Sequence, residues 1–147
     1  MVGILILTHG RMAEELLAAA NNITGGMELS EALALDWADG LEAAETKVAA
    51  AVERLDAGSG VLILTDIFGG TPSNVAMRFL EPGAVDIVSG VNLPMVVRLG
   101  CLRATEMPLE ELSAWIQEKG RSAICAGSSV PRPNRNGGRP ARIDPCE

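Results

Sequence analysis

Two hydrophobic patterns alternate along most of the chain. Apolar runs of strand length occupy residues 2–7 and 61–65, and two further extended segments cover residues 85–88 and 30–35. Continuous runs of this kind are typical of strands that are buried on both faces of a parallel sheet. Between them, apolar residues recur every three or four positions, which is the spacing of amphipathic helices. Strands that alternate with helices predict an α/β fold with right-handed crossover connections.

Turn-forming residues mark the ends of the predicted helices. The helices are expected at about residues 12–20, 41–55, 72–80, 95–102 and 108–119. Pro108 suits the first turn of the last helix, and Gly120 suits its C-terminal cap. Beyond that helix, residues 122–126 are a candidate for one more short strand.

The character of the chain changes near residue 127. Residues 128–147 contain four arginines and are rich in Pro and Gly, so they hold too little apolar surface to form a packed core. A chain of 147 residues has the length of a single domain. We therefore assign one domain to residues 1–127 and a flexible tail to residues 128–147.

Composition excludes several classes of function. The net charge of −7 argues against nucleic acid as a partner, because phosphate backbones favour Lys and Arg. No apolar run approaches the ~20 residues of a membrane span, and the N-terminus has no basic region of the kind that opens a signal peptide. We expect a cytoplasmic protein without direct membrane insertion.

The cysteines do not suggest a metal site. Cys101, Cys125 and Cys146 are far apart, form no C-x-x-C pair and are accompanied by a single histidine. We expect no bound metal and no cofactor, and we interpret the cysteines as two small core residues and one tail thiol.

The candidate chemistry centres on the end of the third predicted strand. Asp66 ends that strand, and two glycines and a Thr-Pro pair then begin a helix, with Thr71 as the expected N-cap and Pro72 at the first helical position. His9, the only histidine, ends the first strand. In a sheet of order 2-1-3-4 these strands are neighbours, and ligands bind beyond their carboxyl ends. His9 and Asp66 are therefore expected in one cleft.

This pair suits phosphohistidine chemistry. A carboxylate such as Asp66 can hold the Nδ1–H of a neutral imidazole, so that Nε2 attacks phosphorus. Backbone N–H groups at a helix start can receive the phosphoryl group, and the candidate phosphate-binding residues are Gly69, Gly70, Thr71 and Ser73. The chain has no Walker A motif and no kinase motif, which argues against ATP as the donor.

Simpler alternatives remain open on the residues alone. His9 could be an ordinary loop residue, Asp66 a turn or capping acid, and the glycine turn a plain helix start. Further candidate cleft residues are Thr8, Gly10, Phe68, Asn92 and Pro94. Phe68 could instead be a packing residue, and the last two could simply form a turn.

Three motifs resemble one known family. The runs ILTHG at residues 6–10, TDIFGGTPSN at 65–74 and SGVNLPM at 89–95 resemble the enzyme IIA domain of the mannose class (mannose, fructose, sorbose) of the bacterial phosphoenolpyruvate-dependent sugar phosphotransferase system. The resemblance spans about residues 1–126. It implies a three-layer α/β sandwich with parallel sheet order 2-1-3-4 and a short antiparallel C-terminal strand, which residues 122–126 would exchange across a homodimer.

The resemblance also implies a function. Members of that family accept a phosphoryl group from the phosphocarrier protein HPr on the histidine matching His9, which pairs with the acid matching Asp66. They pass the group to enzyme IIB during sugar uptake. Because the sequence ends without a IIB-like segment, we expect IIB on a separate chain. The second motif argues against the related dihydroxyacetone-kinase subunits.

Two alternatives accompany this hypothesis. A regulatory phosphorelay module, whose phosphorylation state at His9 controls partner binding without sugar transport, would carry the same site. A small α/β hydrolase is disfavoured, because the chain has no G-x-S-x-G turn.

Overall fold

A four-stranded parallel sheet forms the middle layer of the protein. The computed structural model describes residues 1–36, 38–102, 107–129 and 146. The strands are β1 (Gly3–His9), β2 (Ser30–Leu35), β3 (Val61–Thr65) and β4 (Val85–Ser89). They lie in the order β2-β1-β3-β4 with every pair parallel, which confirms the predicted sheet.

The register between the central strands places the candidate site. Leu7 pairs with Thr65 at the carboxyl end of the β1–β3 ladder. His9 therefore lies two residues beyond this pair on β1, and Asp66 one residue beyond it on β3. Both strands are buried up to this point, so the register is held by the core on both faces.

Helices cover both faces of the sheet. They are α1 (Met12–Thr24), α2 (Leu41–Leu55), α3 (Thr71–Ala76), α4 (Leu93–Cys101) and α5 (Leu109–Ser122), and short 3-10 turns follow at Met77–Phe79 and Gly127–Ser129. One core cluster packs beneath α1, α4 and α5, and the other beneath α2 and α3. These layers confirm the three-layer sandwich. Within the described parts of the chain, no helix is both long and apolar enough to cross a membrane.

Gly120 is not a helix cap, contrary to the sequence prediction. It lies inside α5, which continues to Ser122. A Cβ at this glycine would lie 2.6 Å from the sulfur of Met95. The glycine is therefore needed where α5 packs closely against α4, which explains why a residue typical of helix ends stands within a helix.

The fifth strand is not formed within this single chain. Ser122 ends α5, and residues 123–126 pair with no strand among those described; Ile124 is 80% exposed. Exchange of this segment across a homodimer needs a second chain and remains a prediction. Most of the predicted tail, residues 130–145 and 147, lies outside the described residues, and the boundary near residue 127 also remains a prediction.

The interpretation of the cysteines is wrong in two respects. Cys101, at the end of α4, is joined to Cys146 by a disulfide bond across 45 positions of sequence. Cys125 is a free, exposed thiol and not a core residue. Spacing could not reveal the pair, because the two cysteines meet only after the helices have packed.

Candidate active site

His9 and Asp66 form the centre of the candidate site. Asp66 Oδ2 lies 2.7 Å from His9 Nδ1 and also accepts the backbone N–H of His9 at 2.9 Å. The other oxygen, Oδ1, accepts the N–H of Ile67 at 2.8 Å. The side chain of His9 is 23% exposed and that of Asp66 is 13% exposed. The carboxylate therefore holds both the ring and the backbone of the histidine in a site that solvent still reaches.

The surroundings keep Asp66 ionised. Burial alone raises the pKa of this carboxyl, but hydrogen bonds from the backbone and ring of His9 and from the N–H of Ile67 outweigh burial, so the pKa lies below its ordinary value of 3.8. A carboxylate that accepts at Nδ1 favours the tautomer with its proton there. In that tautomer the lone pair of the neutral imidazole is on Nε2.

The turn after β3 brings the start of α3 against the imidazole ring. Gly69 has φ +84°, in the left-handed region that favours glycine. Gly70 has an ordinary φ of −75°, but a Cβ there would lie only 2.8 Å from His9 Cε1. The first glycine is needed for backbone shape, and the second for space beside the histidine.

The helix begins one residue earlier than the sequence predicts. Gly70 is the N-cap of α3, Thr71 is the first helical residue and Pro72 the second, and no side chain caps the helix. The expected N-cap role of Thr71 is therefore wrong. The reason is that Gly70 has extended backbone and already accepts the N–H of Asn74 through its carbonyl, as an N-cap residue does.

The candidate phosphate-binding residues lie in this one turn, but in different settings. Thr71 is exposed, whereas Ser73 is completely buried. The Ser73 hydroxyl accepts the N–H of Gly69 at 3.3 Å, and the side-chain amide of Asn74 donates to the Gly69 carbonyl at 3.1 Å. Ser73 therefore holds the turn in shape from inside the protein.

Thr8 and Gly10 frame His9 on β1. Thr8 is fully buried, and its hydroxyl accepts the N–H of Ala13 at 2.8 Å, which supports the start of α1 from behind the site. Gly10 is exposed with φ +53°, and turns the chain away from the strand. Of these two residues, Gly10 lies at the surface beside the histidine.

Asn92 forms a helix cap. Its Oδ1 accepts the N–H of Met95 at 3.1 Å, and its Nδ2 donates to the carbonyl of Gly120 at 3.1 Å, which ties α4 to α5. Pro94 is exposed in the first turn of α4. Of the two sequence-based alternatives for Asn92, cleft residue or turn former, this geometry favours the turn.

Two supporting residues were missed by the sequence analysis. Thr65 Oγ1 and Ser89 Oγ lie 2.7 Å apart across β3 and β4. The N–H of Gly90 donates to the carbonyls of Thr65 and Asp66 at 2.9 and 3.1 Å. Together these bonds fix the backbone that carries Asp66. The available signal was a hydroxyl residue at the end of each of two neighbouring strands.

Phe68 is not a packing residue. Its side chain is 76% exposed, and that of the neighbouring Ile67 is 61% exposed. Both stand on the turn that connects Asp66 to α3. Adjacent apolar side chains that face solvent beside the candidate site suit contact with another molecule.

The fold and this site match one class of protein. The family model described as the fructose IIA component of the phosphotransferase system, of the mannose-type EIIA family, matches residues 3–117. The chain belongs to this family, as the three motifs indicated.

Individual relatives agree with that assignment. The chain is 35% identical over 136 residues to the mannose-specific EIIAB component of Escherichia coli, a match that covers 88% of this chain and 41% of that protein. It is 32% identical over 104 residues to the fructose-specific EIIA component of Bacillus subtilis, covering 70% and 71% of the two chains. Thus the chain spans about two fifths of the length of the EIIAB relative.

Solved structures share the fold. The mannose/sorbose specific IIA subunit from Enterococcus faecalis superposes with a TM-score of 0.76 at 32% identity, covering 90% of this chain and 96% of that one. A IIA protein associated with the fucose utilization operon of Streptococcus pneumoniae gives a TM-score of 0.74 at 31% identity, covering 86% and 96%.

The bonds of Asp66 predict a pH-dependent contribution to stability. Since the folded pKa is depressed, the carboxylate stabilises the fold fully above pH 3.8 and progressively less as the pH falls through the folded pKa. Asp66→Asn should lower the free energy of unfolding by roughly 1–2 kcal/mol at pH 7. The difference from the unsubstituted protein should shrink in acid, as measured by urea unfolding at pH 7 and pH 3.

Asp86→Asn is the matched control, because Asp86 also accepts the N–H of the next residue through Oδ1. If Asp66→Asn lowered the free energy of unfolding by the same amount at pH 7 and pH 3, the ionised carboxylate would not be the source of the stabilisation.

Proposed function

We propose that this phosphotransferase-system IIA component is a phosphoryl carrier that uses His9. In this proposal His9 accepts a phosphoryl group from phosphorylated HPr and passes it to an enzyme IIB partner during sugar uptake. The observation that carries the proposal is the 2.7 Å contact between His9 Nδ1 and Asp66 Oδ2, made beside the N-terminus of α3. Family membership supports a transferase role in general.

The transfer step follows from the orientation of the ring. The lone pair of His9 Nε2 attacks the phosphorus of the donor phosphohistidine, a new N–P bond forms, and the old N–P bond breaks with its electron pair returning to the donor ring. Positive charge develops on the His9 imidazole as the bond forms. The ionised Asp66 at Nδ1 stabilises that charge without taking the proton. Transfer to IIB is the same step in reverse, with the IIB nucleophile as acceptor.

The turn before α3 suits the transferred group. The first N–H groups of a helix have no partner within the helix and carry partial positive charge, which attracts phosphoryl oxygens. Gly69 and Gly70 bring this backbone close to the ring, and the exposed Thr71 can add its hydroxyl as a donor. In this proposal Ser73 contributes by holding the turn.

The exposed pair Ile67 and Phe68 suits contact with the protein partners. HPr and IIB must each bring a reacting side chain to His9, so their surfaces have to cover the adjoining turn. Aromatic residues such as Phe are enriched at such interfaces relative to the rest of the surface. We assign this pair to the docking surface that both partners use in turn.

The regulatory alternative differs only in the second step. A regulatory module would be phosphorylated at His9 but would not deliver the group to IIB. Delivery to IIB therefore separates the two functions, and the first experiment includes it.

The central prediction concerns the reacting pair. Incubation with phosphorylated HPr should add one phosphoryl group, detected by intact mass, and subsequent addition of IIB should remove it. His9→Ala should abolish labelling, because the nucleophile is lost. Asp66→Asn should label roughly 10–100-fold more slowly, because the ring is less well oriented.

The matched control is Asp86→Asn, which should label at the normal rate. Labelling that survives in His9→Ala would refute the assignment of the nucleophile. A stable phosphoprotein that IIB does not discharge would favour the regulatory module.

A second prediction concerns the space beside the ring. Gly70→Ala places a Cβ 2.8 Å from His9 Cε1, so the ring or the turn must move. We expect phosphoryl acceptance to fall on the order of 10–100-fold with little change in Tm, since displacements near 1 Å are costly to such reactions. Intact-mass measurement of samples quenched at successive times gives the rate of phosphoryl acceptance.

Gly40→Ala provides the control. Gly40 is also an extended N-cap glycine, at the start of α2, but a Cβ there would meet no atom of the described residues within 4 Å. An equal loss of rate in both variants would show that helix capping, and not crowding of His9, is responsible.

A third prediction concerns docking. Phe68→Ser should raise the HPr concentration needed for half-maximal labelling on the order of tenfold, which corresponds to about 1.4 kcal/mol, while the rate at saturating HPr stays similar. Ile23→Ser serves as control, because Ile23 is 48% exposed in the last turn of α1, away from the carboxyl edge of the sheet. An unchanged HPr dependence would remove Phe68 from the docking surface.

A further inference from the structure

We propose that Cys101 and Cys146 are a reversible thiol–disulfide modification site, independent of the phosphoryl chemistry. The two cysteines are joined in the structure with their Cα atoms 5.5 Å apart. This separation is ordinary for a disulfide, so the backbone at both residues accommodates the bond. Neither residue contributes to the His9 site.

The exposure of the pair favours reversibility. Cys146 is exposed and Cys101 is half-buried at the end of α4. Thiol–disulfide exchange requires that an attacking thiolate reach one of the two sulfurs. Cys146 is the more exposed of the two residues, so we expect a small thiol such as glutathione to open the bond by attack at its sulfur. In a compartment buffered by glutathione, accessible bonds of this kind respond to the redox state.

Glutathione disulfide is the oxidant that forms the bond. The Cys146 thiolate attacks one sulfur of glutathione disulfide and expels one glutathione thiolate. The Cys101 thiolate then attacks Cys146 Sγ in the mixed disulfide and expels the second. The two cysteines together lose two electrons and two protons, and two glutathione molecules carry them. Reduced glutathione reverses both steps.

The bond lies at the end of the protein opposite the phosphoryl site. α4 begins beyond the carboxyl end of β4 and runs back toward the amino edge of the sheet, where Cys101 ends it. At that edge, a cavity of about 380 Å³ is lined by the flanking Gly100 and Leu102 together with Ile4 at the start of β1. His9 is six residues along β1 from Gly3, roughly 20 Å away at the strand rise.

The position of the disulfide bond indicates that it affects the stability of the fold. It closes a covalent loop that contains the whole of α5 and fixes the far end of that loop to α4. Cross-links restrict the unfolded chain, so the oxidised form is expected to be the more stable. Because the bond is far from His9, it should change the stability of the fold and leave phosphoryl acceptance unaltered.

The test uses the full chain with Cys125→Ser, which removes the exposed third thiol. The native protein is equilibrated with mixtures of reduced and oxidised glutathione and quenched in acid. Its free thiols are then alkylated and counted by intact mass. We expect two alkylated thiols in reduced glutathione, none in excess glutathione disulfide, and the same curve from either direction. In a Cys101→Ser protein, glutathione disulfide should leave one glutathione adduct on Cys146.

Stability supplies the second readout. The oxidised form should melt roughly 5–10 °C above the reduced form. Cys146→Ser, which alters only the distal partner, should melt at one temperature in both mixtures. Labelling of His9 by phosphorylated HPr should proceed equally in both redox states.

Three results would overturn the proposal. They are two free thiols in excess glutathione disulfide, disulfide-linked dimers in place of the internal bond, or a bond that reduced glutathione does not open in the native protein. Equal melting temperatures would refute the stabilising role. Absence of phosphoryl labelling in both states would count against the proposed carrier function only, because the thiol measurements do not depend on it.

Discussion

The contact between Asp66 Oδ2 and His9 is the constraint on which the site depends. One carboxylate oxygen accepts from both the backbone N–H and the ring Nδ1 of the same residue. The ring is thus fixed relative to its own strand, and not merely attracted to a nearby charge. This geometry exists only because Leu7 pairs with Thr65; a slip of one residue would turn each side chain to the opposite face of the sheet. The apolar core on both faces therefore determines the position of the polar pair.

The two neighbouring glycines extend this constraint for different physical reasons. Gly69 adopts a left-handed φ, which a side chain would strain. Gly70 has a φ that any residue can adopt, but it lacks room for a Cβ against the imidazole ring. The buried hydroxyl of Ser73 then joins the turn to the helix through the N–H of Gly69. Shape, space and a buried hydrogen bond together bring the N-terminus of α3 to the ring.

Sequence patterns predicted those features that arise from local periodicity. The continuous apolar runs of β1 and β3 indicated buried parallel strands, and the placement of His9 and Asp66 at their ends followed from that. The exact start of α3 was wrong, because the cap depends on the backbone of Gly70 and not on the capping preference of Thr71. The exposure of Phe68 could not be inferred from residue type, since aromatic side chains usually pack.

Other features lay beyond the sequence because they depend on contacts between distant elements. Gly120 stands within α5 because of Met95 on α4, and the Cys101–Cys146 bond joins residues 45 positions apart. The availability of positive charge at the proposed phosphoryl site also depends on contacts that the structure reveals. Arg11, the basic residue closest to His9 in sequence, is paired with Glu14 and Glu15. With Arg11 engaged in this way, the proposal assigns the phosphoryl group to the backbone N–H groups at the start of α3, and such dipoles hold an anion less strongly than a charged side chain would. A phosphoryl carrier must release the phosphoryl group as readily as it accepts it, so moderate binding of that group suits the proposed role.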